Sequence, residues 1–216
     1  MLAKTKIVKS LLMTAVCIGA LATNGCSSGG GYKRADATTS SIDAMRAEIV
    51  SGKDQIDATI KALNDVVASA NANPRPAYET FTKEYAKTED QAEKVSKRAA
   101  EIKKQGGAYF KAWETEFEKI ASPELRKNFE RRKAELQDEY AKIQAFSEGL
   151  RKDFDTFMSN LNDINIILGI DLTRKGIASI SDYVKEATTT AVAINKRLDL
   201  YIKVLDQVAA DMRPSM

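Results

Sequence analysis

Apolar side chains return every seven residues from about Thr39 to the C-terminal end. That spacing places them along one face of an α-helix. A first segment carries Ile42, Ile49, Ile56, Leu63 and Ala70 in one seam position, with the weaker companions Met45, Gly52, Thr59 and Val66. It stops at Asn71-Ala72-Asn73-Pro74-Arg75-Pro76, where proline forbids helix continuation. A second segment, from about Ala77 to Ala121, runs through Phe81, Tyr85, Thr88, Ala92, Val95, Ala99, Ile102, Gly106, Tyr109, Trp113 and Ile120, with Phe117 alongside. Gly106-Gly107 interrupt its seam. Each glycine costs about 1 kcal/mol against alanine in a helix, so the pair predicts a kink or a point of close helix approach.

Ser122-Pro123-Glu124 reads as a restart, with a capping hydroxyl, proline in the first turn and a carboxylate at the positive helix end. The third segment places Phe129, Leu136, Ile143, Leu150, Phe157 and Ile164 at strict seven-residue spacing. Gly169 and Asp171 mark its end and a new cap. The fourth segment alternates Ile177, Val184, Ala191, Leu198, Leu205 and Met212 with Ile180, Ala187, Ile194, Tyr201 and Val208. No strand-like alternation competes. The second and third segments approach about 45 residues, or roughly 65 Å at 1.5 Å per residue. The prediction is an all-α, elongated antiparallel bundle of four long helices with coiled-coil-like heptad packing. A hairpin that completes its core by dimerising is the structural alternative.

Before the first segment the pattern changes. Lys4, Lys6 and Lys9 precede an apolar stretch through Leu11, Leu12, Met13, Val16, Ile18 and Leu21. It is too short to span a bilayer, which takes about 20 residues, and it fits a signal h-region. Leu21-Ala22-Thr23-Asn24-Gly25-Cys26 follows. This run resembles the lipobox of bacterial lipoproteins, in which a small residue precedes a cysteine that is diacylated and becomes the new N-terminus. Gly25 and Cys26 match, whereas Thr23 stands where leucine is usual. The expected organisation is a signal peptide over 1–25, an acylated Cys26 with a flexible linker over 26–38, and a helical domain over 39–216. Ordinary signal cleavage near Ala22 with Cys26 free, or an uncleaved N-terminal anchor, is the alternative. More than one acyl chain gives stable attachment. Ser27 is not the aspartate that retains such lipoproteins at the inner membrane, so the expected location is the periplasmic side of the outer membrane, with a soluble periplasmic protein as the alternative.

Composition narrows the chemistry. The chain has no histidine, which removes the commonest general base and metal ligand. Its two cysteines are Cys17 and Cys26, so the expected mature protein has neither free thiol nor disulfide. The 33 basic and 30 acidic residues become 30 against 30 once the three lysines of residues 1–25 are set aside. A neutral body argues against nucleic acid as a partner.

Several stretches carry a family resemblance. They are Lys33-Arg34; Tyr78-Glu79 through Ile102 with Glu89, Glu93, Val95, Ser96 and Arg98; Trp113-Glu114-Thr115-Glu116; and Ser122-Pro123-Glu124-Leu125-Arg126. Together they make the chain resemble an uncharacterised bacterial family of helical envelope proteins, DUF2959. The resemblance implies a fold and a location, and supplies no catalytic residues.

Candidate chemistry is sparse. No glycine-rich loop ends in Gly-Lys-Ser/Thr. Carboxylates are plentiful, among them Glu79, Glu84, Glu114, Glu116, Glu118, Asp153, Asp155 and Asp163. A di-iron bundle needs Glu-x-x-His pairs, so these acids read as ion pairs on solvated faces and no cofactor is expected. The basic runs Lys94-Lys97-Arg98, Lys103-Lys104 and Arg126-Lys127 with Arg131-Arg132-Lys133 are flanked by acids. They read as mixed solvent faces, with anionic lipid or a wall polymer as the second reading. Lys33 and Arg34 are candidates for contact with phosphate headgroups near the anchor. Tyr109, Phe110, Trp113 and Phe117 read as core, with a seat for a partner helix or apolar ligand as the alternative. The expected function is a non-enzymatic envelope lipoprotein, a scaffold or interaction module held to the membrane by acyl chains and joined to a protein partner or itself through helical surfaces. The second expectation is a periplasmic carrier of a lipid, peptide or client protein.

Overall fold

A computed structural model describes residues 30–213. It contains α1 (Gly30–Ala68), α2 (Arg75–Phe117), α3 (Pro123–Ile170), α4 (Arg174–Ser179) and α5 (Ser181–Met212). No strand occurs among the described residues. The fold is all-α, as the heptads predict.

The four long helices form a ring in which each packs antiparallel to the next. Between α1 and α2, Thr59 and Thr88 share a hydroxyl bond of 2.7 Å, and Gln91 Nε2 donates to the Glu48 carbonyl at 2.9 Å. Between α1 and α5, Arg46 pairs with Asp206 at 2.9 Å and Asn195 Nδ2 donates to Asp57 at 2.7 Å. α3 meets α5 where Arg132 donates to the Asp211 carbonyl at 2.9 Å and where Phe146 stacks on Tyr201 with centroids 5.6 Å apart. α2 meets α3 where the Tyr78 hydroxyl donates to the Asn165 carbonyl at 3.3 Å and where Lys133 pairs with Glu114 at 2.6 Å. Rising numbers on one helix oppose falling numbers on its neighbour throughout. The core therefore closes within one chain, without the dimer that an open hairpin would need.

Most seam positions are buried, those of the second half of α2 least so. Ile42, Ile49, Ile56 and Leu63 are, and so are Leu136, Ile143, Leu150, Phe157 and Ile164. The small and polar companions on α1 have a packing reason. Thr59 is fully buried against Thr88, and the open Cβ side of Gly52 faces the Gln91 side chain at 3.8 Å. Small residues let α1 and α2 approach closely, and the hydroxyls pair where they are enclosed. The core falls into two clusters. One lies around Leu63, Phe81, Phe157 and Leu161. The other lies around Met45, Ile102, Tyr140 and Leu205.

Two boundaries differ from the sequence expectation. α1 begins at Gly30, so residues 30–38, expected as linker, are helical. Ala35, Thr38 and Thr39 are buried there, and both threonine hydroxyls donate back to carbonyls one turn earlier. Burial of those small residues outweighs the poor helix propensity of the glycines. The fourth segment is two helices rather than one. Thr173 caps α4 by accepting from Gly176 N at 3.2 Å, and the chain bends at Ile180 before α5. Ile177 and Ile180 stay buried on either side of the bend, so the apolar seam passes through it. Gly176 is required, because a Cβ there would overlap the Asp171 carbonyl oxygen.

The helices do not end together. Arg132 of α3 and Asp43 of α1 lie level with Asp211 and Arg213, at the end of α5. The first turns of α1 and α3 therefore extend past α5, alongside the last turns of α2. This is why Phe129, a seam residue by spacing, is 46% exposed.

Candidate functional site

Two features stand out, one at the overhanging end and one at mid-bundle. At the overhanging end, the side α5 would have covered is an aromatic hollow of about 360 Å³, lined by Tyr32, Arg34, Tyr109, Trp113, Phe117 and Phe129 among others. Its rings meet edge to face. Tyr109 and Trp113 lie 5.6 Å apart at 80°, and Trp113 and Phe129 lie 6.4 Å apart at 62°. Phe110 continues the chain inward, 5.6 Å from Tyr140. Burial raises the Tyr109 phenol above its ordinary value, against the opposing pull of Arg132 and Arg34. Of the four aromatics read as core, only Phe110 is buried; Tyr109, Trp113 and Phe117 are half-buried.

The sequence candidates separate here. Cys26 lies outside the described residues. Lys33 faces solvent, whereas Arg34 is half-buried, lines the hollow and lays its guanidinium against Gly30. Arg126, Lys127 and Arg131, on the first turns of α3, are exposed at the same end. Arg126 also donates to the Glu118 carbonyl at 3.1 Å and to that of Ile120, closing the end of α2.

At mid-bundle, α2 and α3 part. The gap is a cavity of about 510 Å³ between the two core clusters, reached by residues of all four long helices. Val95, Ala99 and Leu198 hold seam positions yet are only half-buried, because they pack against the core on one side and line this space on the other. Small residues on α2 (Ala92, Ser96, Ala99, Ala100) keep that wall thin. Two buried polar side chains on the wall are already engaged: Thr88 bonds Thr59, and Gln91 bonds Glu48. Tyr201 differs. It is 2% exposed, lines the cavity, and its hydroxyl is buried without a hydrogen-bond partner among the described residues. Burial pushes its phenol up to about 12; the neighbouring Ser147 hydroxyl pulls it the other way, but does not reach hydrogen-bonding geometry. Spacing alone marks Tyr201 as a core residue, and the cavity has no sequence signal, since it depends on how far apart α2 and α3 stand at mid-length.

The acidic candidates are distributed rather than convergent. Glu114 pairs with Lys133, Glu116 with Lys119 at 3.1 Å, and Asp153 with Arg197. Glu84 accepts from Gln55 at 2.9 Å and from Lys87 at 2.7 Å, and those bonds hold its carboxyl below the ordinary range. Among the described residues, no three ligating side chains gather, and no helix is long and apolar enough to cross a membrane.

The family described as a protein of unknown function, DUF2959, matches residues 26–212. No curated protein and no solved structure matches the chain.

Proposed function

The chain belongs to the DUF2959 family, and on that premise we propose that it is a non-enzymatic envelope lipoprotein. Its helical body serves as a scaffold or interaction module on the periplasmic side of the outer membrane, tethered through acylated Cys26. The observation that carries this reading is a coincidence at one end of the molecule. The family match begins at Cys26, α1 begins at Gly30, and the same end presents the aromatic hollow and the basic turns of α3. Aromatic rings and cations are the side chains favoured where protein meets lipid headgroups. An anchor at Cys26 brings that end to the membrane and leaves the opposite end, with the α1–α2 and α3–α4 connections, reaching into the periplasm. The absence of histidine, of a free thiol after acylation and of a nucleotide loop supports a role without catalysis.

Metabolic labelling with palmitate tests the anchor: label is expected in the wild type and lost in Cys26→Ala, and equal label in both sinks the assignment. In-cell crosslinking followed by mass spectrometry identifies the partner. The mid-bundle cavity favours a second reading, a carrier of an apolar ligand.

A further inference from the structure

We propose that the cavity between α2 and α3 binds a single unbranched acyl chain whose carbonyl oxygen accepts a hydrogen bond from Tyr201. This deepens the carrier reading and rests on it; it is independent of the anchor at Cys26.

The walls select the ligand. Met45, Ile49, Ile102, Ile143 and Leu150 offer hydrocarbon, and the cavity's 510 Å³ lies within the span of small-molecule sites, about 300–1,000 Å³. Such sites pair an apolar lining with few polar groups that fix orientation. Here the buried polar group left without a partner is one donor, the Tyr201 hydroxyl, since the buried Thr88 and Gln91 are already satisfied and Ser96, Gln144 and Ser147 are not buried. A buried hydroxyl without an acceptor is costly. A ligand that completes the site brings one acceptor and otherwise methylenes. A peptide fits poorly, because its repeating amides demand partners along the whole length of the cavity, whereas the remaining polar side chains, Ser96, Gln144 and Ser147, are not buried and lie toward its open side. A sugar fails for the same reason. The acyl chain fits, and stacking on Phe146, with planes 2° apart, holds the phenol in place. At the mouth, Lys103 has no ion-pair partner among the described residues, so a free carboxylate or a phosphate headgroup finds a cation there.

The test uses the purified chain carrying Cys26→Ala, with 1-anilinonaphthalene-8-sulfonate as reporter and palmitate below its micelle concentration as competitor. A second arm uses palmitoyl-lysophosphatidylcholine. Saturable displacement at one site per chain is expected. Displacement by palmitate alone assigns a free fatty acid, and displacement by both assigns any monoacyl lipid. Tyr201→Phe is expected to weaken the lysolipid, whose ester carbonyl is neutral, by about 3- to 10-fold, and palmitate, whose acceptor is a carboxylate oxygen, by about 10- to 100-fold. The thermal midpoint of the ligand-free Tyr201→Phe protein is expected not to fall, since the lost hydroxyl had no partner. Ala99→Phe, which fills the cavity, is expected to abolish dye and palmitate binding with helicity retained. Dye that binds in an Ala99-dependent way but is not displaced by either lipid overturns the acyl assignment and leaves a carrier of other chemistry. Dye and palmitate binding that ignores Ala99→Phe overturns both. A lowered midpoint in ligand-free Tyr201→Phe overturns the role given to the hydroxyl.

Discussion

Gly106 lies beneath the Tyr140 ring, and a Cβ there would overlap it, whereas Gly107 has nothing within 4 Å. Of the two readings open from sequence, kink or close approach, the second holds at Gly106, where the Tyr140 ring packs against the glycine; α2 is continuous through both residues. Tyr140, buried by that contact, donates its hydroxyl to the Ile102 carbonyl. Alanine at the two positions therefore has opposite effects. Gly106→Ala forces the ring out of place and is expected to destabilise by about 1–3 kcal/mol. Gly107→Ala meets no neighbour and is expected to stabilise by about 0.5–1 kcal/mol through helix propensity. Urea unfolding of both variants decides the matter, and a change of the same sign in both refutes this account. Which glycine matters was not legible in the sequence. Adjacent helical residues point about 100° apart, and only the position of α3 tells which one faces a neighbour.

At the scale of elements, α1 and α2 are held by a polar ladder as well as by hydrocarbon. Thr59, Thr88 and Gln91 are buried at the interface, and Gln55 and Glu84 extend it outward. The Thr59 hydroxyl reaches the Gln55 carbonyl at 2.9 Å, the Glu84 carbonyl at 3.0 Å and Thr88 at 2.7 Å. A slip of one turn would bury these groups without partners, so the ladder sets the register of the pair. Thr59→Val keeps the shape and removes the bonds; a loss of about 1–2 kcal/mol is expected in urea titrations. Thr115→Val removes only an exposed bond to the Lys111 carbonyl and is expected to stay within about 0.5 kcal/mol. Equal losses in the two variants would show that the ladder contributes nothing specific. The helices themselves were legible, because heptads and the breakers Pro74, Pro76 and Ser122-Pro123 are local signals. The bend at Ile180 was not, since the seam continues across it without a break.

For the whole molecule, the cores of the two clusters enclose phenols that resist ionisation. Burial raises Tyr85 and Tyr201 from 10.0 to about 12, and Tyr140 is raised further in the same direction. These groups keep their protons longer in the folded state than in the unfolded one. Stability is therefore complete below about pH 10 and falls as pH rises through the interval up to about 12. Absorbance at 295 nm and helical ellipticity, followed together in an alkaline titration, are expected to show these three tyrosines ionising only as the helices melt. Ionisation of all seven tyrosines at pH 10 with the fold intact would contradict the burial described. At the acid end the Glu84 carboxyl, held low by Gln55 and Lys87, loses its contribution as pH falls through its depressed range.

The amino-acid order by itself determined that this protein is helical, where α1 stops, where α2 and α3 lie, and which face of each is apolar. Those properties arise from neighbours within a turn or two, so a linear pattern carries them. The overhang left by α5, the division of the core and the space around Tyr201 were decided only in three dimensions. Each depends on the axial offset and separation of whole helices, set by contacts between residues far apart in the chain. A seven-residue repeat is satisfied by many offsets, and it does not say whether a seam residue such as Val95 or Ala99 will be enclosed or left partly facing a cavity.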